Sequence, residues 1–216
     1  MQTPSQAFLQ TACDELARRD TALSAAYRDT GLPDWRRAPA CYETLARLIV
    51  SQQISTHAAA SIWRRITAHF TAITPDHILD TEEAILQSLG LSRPKIAHLK
   101  SIAQALHAGD LNLSKLALLS SEAARAELQK VKGIGPWTAE LYVLYVEADM
   151  DAWPVTDLGL LEAYRQLSGA ETRLDRKAFT ACAEAWRPWR GVAAHLLWAW
   201  LNAQRAKKET PAPSPT

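Results

Sequence analysis

The sequence contains no uninterrupted apolar stretch near the roughly 20 residues that a membrane-spanning helix needs, so no helical span is expected. Its opening residues, MQTPSQAFLQ, lack a basic cluster followed by an apolar run, and no secretory leader is expected. Cysteine is scarce: Cys13, Cys41 and Cys182 are odd in number and far apart. That spacing excludes a disulfide framework, suits a reducing compartment and matches neither a zinc nor an iron–sulfur site. An excess of one charge sign is also missing, since 24 Lys and Arg stand against 23 Asp and Glu, a formal net charge of +1. No overall basic field announces a nucleic-acid binder, although a local basic patch and backbone amides can still grip DNA. No convincing strand alternation and no internal repeat occur. What the chain does have is tryptophan, eight in 216 residues, a heavy aromatic load for an alanine-rich protein.

Helical periodicity dominates, and an all-α fold is expected. Residues 5–28 read as one helix, broken by Gly31 and Pro33, with a loop to about Pro39. Tyr42, Leu45, Leu48 and Ile49 mark a second helix ending near Gln52, and Ile62, Trp63, Ile66 and Phe70 a third, interrupted at Pro75. Asp80 and Glu83 stand at capping-box spacing before a short helix that stops at Gly90. Ile96, Leu99, Ile102, Ala103 and Leu106 form the apolar face of another, ended by Gly109. Helices follow at about 121–131, 136–147, 158–168, 175–186 and 190–205, with Pro188 separating the last two. The tail ETPAPSPT, 209–216, reads as disordered.

The most specific short motif is Val131-Lys132-Gly133-Ile134-Gly135-Pro136-Trp137-Thr138. A helix ends, two glycines flank an aliphatic residue, and a proline opens the next helix. Glycine permits backbone angles closed to other residues and lets neighbouring chain approach. Proline suits the first helical position. Amides at such a turn make an anion site. The pattern resembles the helix-hairpin-helix motif, which holds a DNA phosphate whatever the base sequence. A glycine-capped turn without a ligand uses the same residues.

Farther on stands Trp153-Pro154-Val155-Thr156-Asp157-Leu158-Gly159. Asp157 begins a helix, and an N-cap aspartate worth about 1 kcal/mol is one sufficient account of it. A hairpin followed about 20 residues later by an aspartate, however, resembles the helix-hairpin-helix (HhH-GPD) base-excision DNA glycosylases. The match is closest to the DNA-3-methyladenine glycosylase II branch. Gly133 through Glu140, Pro154 through Leu158, Leu48-Ile49-Val50-Ser51-Gln52-Gln53-Ile54-Ser55, and Trp186-Arg187-Pro188-Trp189-Arg190 with His195 and Trp198 resemble that branch's blocks, in its order. The likeness covers about residues 40–204. Residues 1–39 match less clearly, and a compact form without the N-terminal β-rich domain of longer members is expected.

The resemblance implies a two-lobed helical bundle over residues 1–208, roughly 40–130 and 1–39 plus 131–208, with a DNA and base cleft between the lobes. It implies a monomeric enzyme that hydrolyses the N-glycosidic bond of alkylated purines, of 3-methyladenine or 7-methylguanine type, in double-stranded DNA with a damaged base. It implies no cofactor and no metal, and a location at the bacterial nucleoid or in a eukaryotic nucleus. Asp157 is then the catalytic carboxylate, placed to stabilise positive charge on the sugar and to orient water. Asp151 is its rival, expected to be exposed. Trp137 occupies the position of the lysine that forms a Schiff base in backbone-cutting members, so no lyase activity is expected.

By the same resemblance, Trp137 and Trp198 line a base pocket, where electron-rich rings favour cationic bases. Leu141 stands where some members have tyrosine, with Tyr142 beside it. A purely structural place in the core is the other reading of the two tryptophans. Gln52, Gln53 and Ile54 correspond to the wedge that fills the gap left by a flipped base, Gln53 to its inserting residue. Helix-end capping is the alternative for the two glutamines, and Ser55 and Thr56 are expected to cap the next helix. Lys132, Gly133, Ile134, Gly135 and Thr138 form the phosphate-binding turn. Arg93, Lys95 and Lys100 are further phosphate candidates, and His195 is expected to satisfy a core hydrogen bond. A single C-terminal cysteine, Cys182, rules against the iron–sulfur version of the fold. A glycosylase for other damaged or deaminated bases, or a non-catalytic helix-hairpin-helix module, remain the alternatives.

Overall fold

The computed structural model describes residues 3–209. The tail expected at 209–216 lies outside them from residue 210 on. The helices run α1 (Gln6–Arg19), α2 (Thr21–Thr30), α3 (Tyr42–Ser51), α4 (Thr56–His69), α5 (Pro75–Asp80), α6 (Glu83–Ser88) and α7 (Arg93–Ala108). They continue with α8 (Leu113–Leu116), α9 (Ser121–Gln129), α10 (Pro136–Tyr142), a π-helical turn at Val143–Glu147, α11 (Leu158–Leu167), α12 (Arg176–Glu184) and α13 (Arg190–Glu209). No strand occurs among the described residues, as the periodicity predicts, and none of their helices is long and apolar enough to cross a membrane.

The chain divides into two compact units. One is Ala38–Glu147, and the other joins the segment up to Arg37 with the segment from Ala148 on. The division after residue 147 differs from the expected one after residue 130. The reason is local: α10 packs on α9 and on α3, which keeps both hairpin helices in the Ala38–Glu147 unit. In that unit Leu45, Ile49, Ile96, Leu99, Ile102 and Leu128 form the core. The Tyr42 hydroxyl donates to the Leu99 carbonyl at 3.0 Å and ties α3 to α7.

The other unit is built on α13, which packs against α1, α2 and α11. Its tryptophans explain the aromatic excess. The indole N–H groups of Trp186, Trp189, Trp198 and Trp200 donate to the carboxylates of Asp20, Glu15, Asp157 and Asp29 at 2.9–3.1 Å. A hydrogen bond to a charged acceptor contributes about 1.5–3 kcal/mol, and it lets a large ring be buried without stranding its donor. Trp153, Tyr164 and Phe179 pack edge-on or tilted around Trp186.

Three local readings are corrected. The helix expected at 5–28 is broken at Asp20, whose backbone is extended and whose Oδ1 accepts the amides of Ala22 and Leu23. Its Oδ2 takes Trp186 Nε1 at 3.0 Å and the Tyr164 hydroxyl at 3.2 Å, partners available only if the helix stops there. Asp80 is the last residue of α5 and builds no capping box, and α6 starts after Glu82 without a side-chain cap. Pro75 opens a helix instead of interrupting one: the Thr74 hydroxyl caps α5, and the proline sits where no amide hydrogen is needed.

Candidate active site and nucleic-acid interface

The hairpin between α9 and α10 forms as its residues dictate. The Ile134 amide donates to the Val131 carbonyl at 3.1 Å, and both side chains are buried. Gly133 has φ +101°, and a Cβ there would lie 2.5 Å from Cβ of His98 on α7, so only glycine fits. Gly135 is different. Its φ of −86° is ordinary, it caps α10 through its backbone, and a Cβ there would meet nothing within 4 Å. The expectation that both glycines are conformationally required therefore holds for Gly133 alone. Pro136 takes the first position of α10, which no side chain caps.

Lys132 is exposed at the turn and Trp137 is half-buried. The other neighbours fall inward. Thr138 is buried, and its hydroxyl accepts from Gln52 Nε2 at 2.8 Å, so that side chain is engaged within the protein and not presented to a phosphate. Leu141 is buried, and Tyr142 is 0% exposed, its hydroxyl proton held more tightly than usual by burial and then by Glu147 and Cys41. Both belong to the core of this unit, and positions 138, 141 and 142 share the inner face of α10.

The loop after α3 divides its two glutamines. Gln52 points back, and its Nε2 donates to the Gly133 carbonyl at 3.1 Å as well as to Thr138. It is a strut under the hairpin, so the wedge reading passes from Gln52 to its neighbours. Gln53 has φ +57° and is exposed, and Ile54 is 37% exposed. The Ser55 hydroxyl caps α4 by accepting from Ala58, as expected of that residue, while Thr56 is already the first residue of the helix. Two of the basic candidates are already occupied. Lys95 Nζ donates to the Val50 carbonyl at 2.6 Å, and burial lowers its affinity for its proton; Lys100 Nζ lies 3.4 Å from the Thr81 carbonyl. Arg93 stays exposed at the start of α7.

In the other unit Asp157 is the N-cap of α11. Its Oδ1 accepts the Leu160 amide at 3.0 Å and Trp198 Nε1 at 3.1 Å. The turn leading in is closed by the Asp157 amide on the Pro154 carbonyl at 2.8 Å. Asp157 is half-buried, and Leu158 beside it is 64% exposed. Gly159 completes the arrangement: a Cβ there would stand 3.0 Å from Asp157 Oδ1 and 3.6 Å from both Trp198 Cδ1 and Leu201 Cδ2. Sequence reasoning missed this glycine, although a glycine in the first turn of a helix is a signal in itself. Asp151, the rival carboxylate, is not exposed as expected. Arg190 chelates it with Nε at 2.8 Å and an NH2 nitrogen at 2.7 Å, and Arg187 joins them. Its charge is committed to that cluster.

Trp198 itself is 9% exposed. His195, one turn earlier on α13, meets it edge to face. The His195 Nε2 accepts the Arg36 backbone amide at 3.3 Å, which leaves the proton on Nδ1, 2.7 Å from the Gly191 carbonyl. Burial, only partly offset by that carbonyl and reinforced by Arg36, pushes the imidazole pKa down to about 4. The ring is therefore neutral near pH 7 and structural, as expected. Trp35 stacks on it with centroids 4.2 Å apart. The Arg36 guanidinium carbon lies 5.3 Å from the Trp198 ring centroid. No motif in residues 1–39 signalled these contacts. No group of three or more His, Cys, Asp or Glu side chains among the described residues is gathered to hold a metal ion.

Comparison with known proteins gives this geometry its relatives. Residues 46–188 match the family model described as HhH-GPD superfamily base excision DNA repair protein. A DNA-3-methyladenine glycosylase 1 from Schizosaccharomyces pombe is 34% identical over 161 residues, 73% of this chain and 71% of that protein. A probable bifunctional transcriptional activator/DNA repair enzyme AlkA of Mycobacterium tuberculosis is 30% identical over 74% of this chain, which spans only 33% of that longer protein. Among solved structures, the S. pombe 3-methyladenine DNA glycosylase Mag1 in complex with abasic DNA superposes with a TM-score of 0.78 at 29% identity, covering 87% of this chain and 95% of that one. A Clostridium acetobutylicum 8-oxoguanine glycosylase/lyase shares the fold at 19% identity, with a TM-score of 0.76. The family model covers well over half of the sequence, and the chain belongs to the HhH-GPD superfamily of base excision DNA repair proteins.

Proposed function

We propose that this chain is a monofunctional DNA glycosylase that hydrolyses the N-glycosidic bond of alkylated purines in duplex DNA, the opening step of base excision repair. The carrying observation is the Asp157 carboxylate, immobilised by two neutral N–H donors, from Leu160 and Trp198, at the N-terminus of α11. A negative charge is favoured at a helix N-terminus. As the base departs, positive charge grows on the deoxyribose, and a preorganised carboxylate stabilises it and orients the attacking water. The relatives named as 3-methyladenine glycosylases support the choice of alkylated purines. Such bases carry positive charge, which makes them good leaving groups and good partners for the rings of Trp198 and Trp137.

In this reading the amides at Gly133–Gly135, with Lys132, hold a phosphate, and Gln53 with Ile54 fills the space of the extruded base. The protein acts as a monomer on DNA carrying a damaged base. No lyase step follows, because Trp137 supplies no amine and Lys132 belongs to the phosphate turn. The test is Asp157→Asn. Asparagine caps a helix as well as aspartate and still accepts both N–H groups, so fold and DNA affinity persist. Release of 7-methylguanine from an alkylated duplex is expected to fall about 100-fold or more. A variant that keeps wild-type release would remove Asp157 from the mechanism, and a borohydride-trapped covalent adduct of the wild type would remove the monofunctional assignment.

A further inference from the structure

We infer that Arg47 is a phosphate-binding residue of this chain: set against the Trp63 ring, its guanidinium grips the DNA backbone beside the loop that carries Gln53 and Ile54. The inference rests on the reading of that loop as the wedge facing DNA. The observation is the Arg47 guanidinium carbon 5.8 Å from the Trp63 ring centroid, on the two helices that flank the loop.

The surroundings favour an anion. From Thr44 to Pro75 the chain has no Asp or Glu, yet it carries Arg47, Arg64 and Arg65. In a sequence with 24 basic and 23 acidic residues, that stretch is a local positive patch, and it spans the loop. Arg65 is committed to the Leu89 carbonyl and the Ser61 hydroxyl. Arg47 is exposed, and its side chain meets the Trp63 ring without a carboxylate partner among the described residues. A guanidinium laid on a ring keeps its N–H donors for a phosphate, and the ring restrains the side chain before the phosphate arrives.

The spacing suits a duplex. Arg47 lies one turn before Ser51, the last residue of α3, whose hydroxyl donates to the Arg47 carbonyl at 2.8 Å. Trp63 lies two turns after Thr56, the first residue of α4. At about 1.5 Å per residue the pair stands roughly 6–10 Å along the helices from the loop, about two to three base steps. Each arginine–phosphate contact adds about 0.9 to the steepness with which log affinity falls with log salt, which is about eightfold in affinity per decade of salt.

The experiment measures binding of a lesion-free duplex by fluorescence anisotropy over about 0.05–0.3 M salt. It compares wild type, Arg47→Gln, Arg47→Lys and, as an exposed arginine of the other unit, Arg176→Gln. Arg47→Gln is expected to lose about 0.9 of the slope and to bind about eightfold more weakly near 0.1 M, while Arg47→Lys and Arg176→Gln keep the wild-type slope. The unmutated protein should show the same loss on an abasic-site duplex bearing neutral methylphosphonates two and three steps from that site, a readout that no folding defect can mimic. A wild-type slope in Arg47→Gln, an equal drop in Arg176→Gln, or indifference to the methylphosphonates overturns this inference and leaves the glycosylase assignment standing. Absent base release with the slope change intact strikes the catalytic reading alone, and a wild type that binds no duplex overturns both.

Discussion

Replacing Gly159 by alanine separates stability from activity in a way that tests the geometry around Asp157. Alanine in place of glycine inside a helix stabilises by about 1 kcal/mol through propensity alone. The added methyl would sit 3.0 Å from Asp157 Oδ1, tighter than carbon and oxygen tolerate, so something must give by a few tenths of an ångström. The backbone of α11 and Leu201 confine one side, and Oδ1 is held by donors at 3.0 and 3.1 Å. Displacing it lengthens both bonds, each worth roughly 1.5–3 kcal/mol, and the loss of part of one cancels the propensity gain. Urea unfolding of Gly159→Ala is therefore expected to agree with the wild type within about 1 kcal/mol. Base release from an alkylated duplex is expected to drop about 10- to 100-fold, because misplacement well under 1 Å already costs rate. A variant that is more stable and fully active would refute the argument that Gly159 sets the carboxylate position.

Asp20→Ala removes the cap of α2 and strands the donors of Trp186 and Tyr164, and it should lower the unfolding free energy by about 2–4 kcal/mol in urea titration. Gln52→Ala cuts the strut to Gly133 and Thr138; a cost of about 1 kcal/mol and weaker binding of undamaged duplex in a fluorescence titration are expected. For His195 the folded pKa of about 4 lies below the ordinary value of 6.5, so the unfolded chain binds more protons between these limits. Its contribution is complete above about pH 6.5 and is lost as pH falls toward 4. Unfolding free energies measured across that window should show a steeper acid decline in the wild type than in His195→Gln.

The parts legible in the letters were those fixed by local chemistry. Gly133 at positive φ, Pro136 at the start of α10 and Asp157 at the start of α11 follow from rules acting over a few residues. The helical period also places Leu141 and Tyr142 inward with Thr138, where all three are buried. Which of two adjacent glutamines turns inward was not legible, because it depends on the left-handed backbone of Gln53. Nor were the long-range contacts of Asp20 and Arg36, made with residues 166 and 159 positions away.

That last point bears on how the molecule is made. The unit holding Asp157 is discontinuous, with Ala38–Glu147 interposed between its two segments. Helices α1 and α2 pack on each other and are made before the interposed unit, and the faces they present to α13 stay uncovered until α13 is synthesised. At about 5–20 residues per second, that leaves them waiting roughly 10–30 s during translation, while the interposed unit already has every segment it requires. The nascent chain therefore carries an amphipathic helix pair whose outer face is covered only when α13 docks.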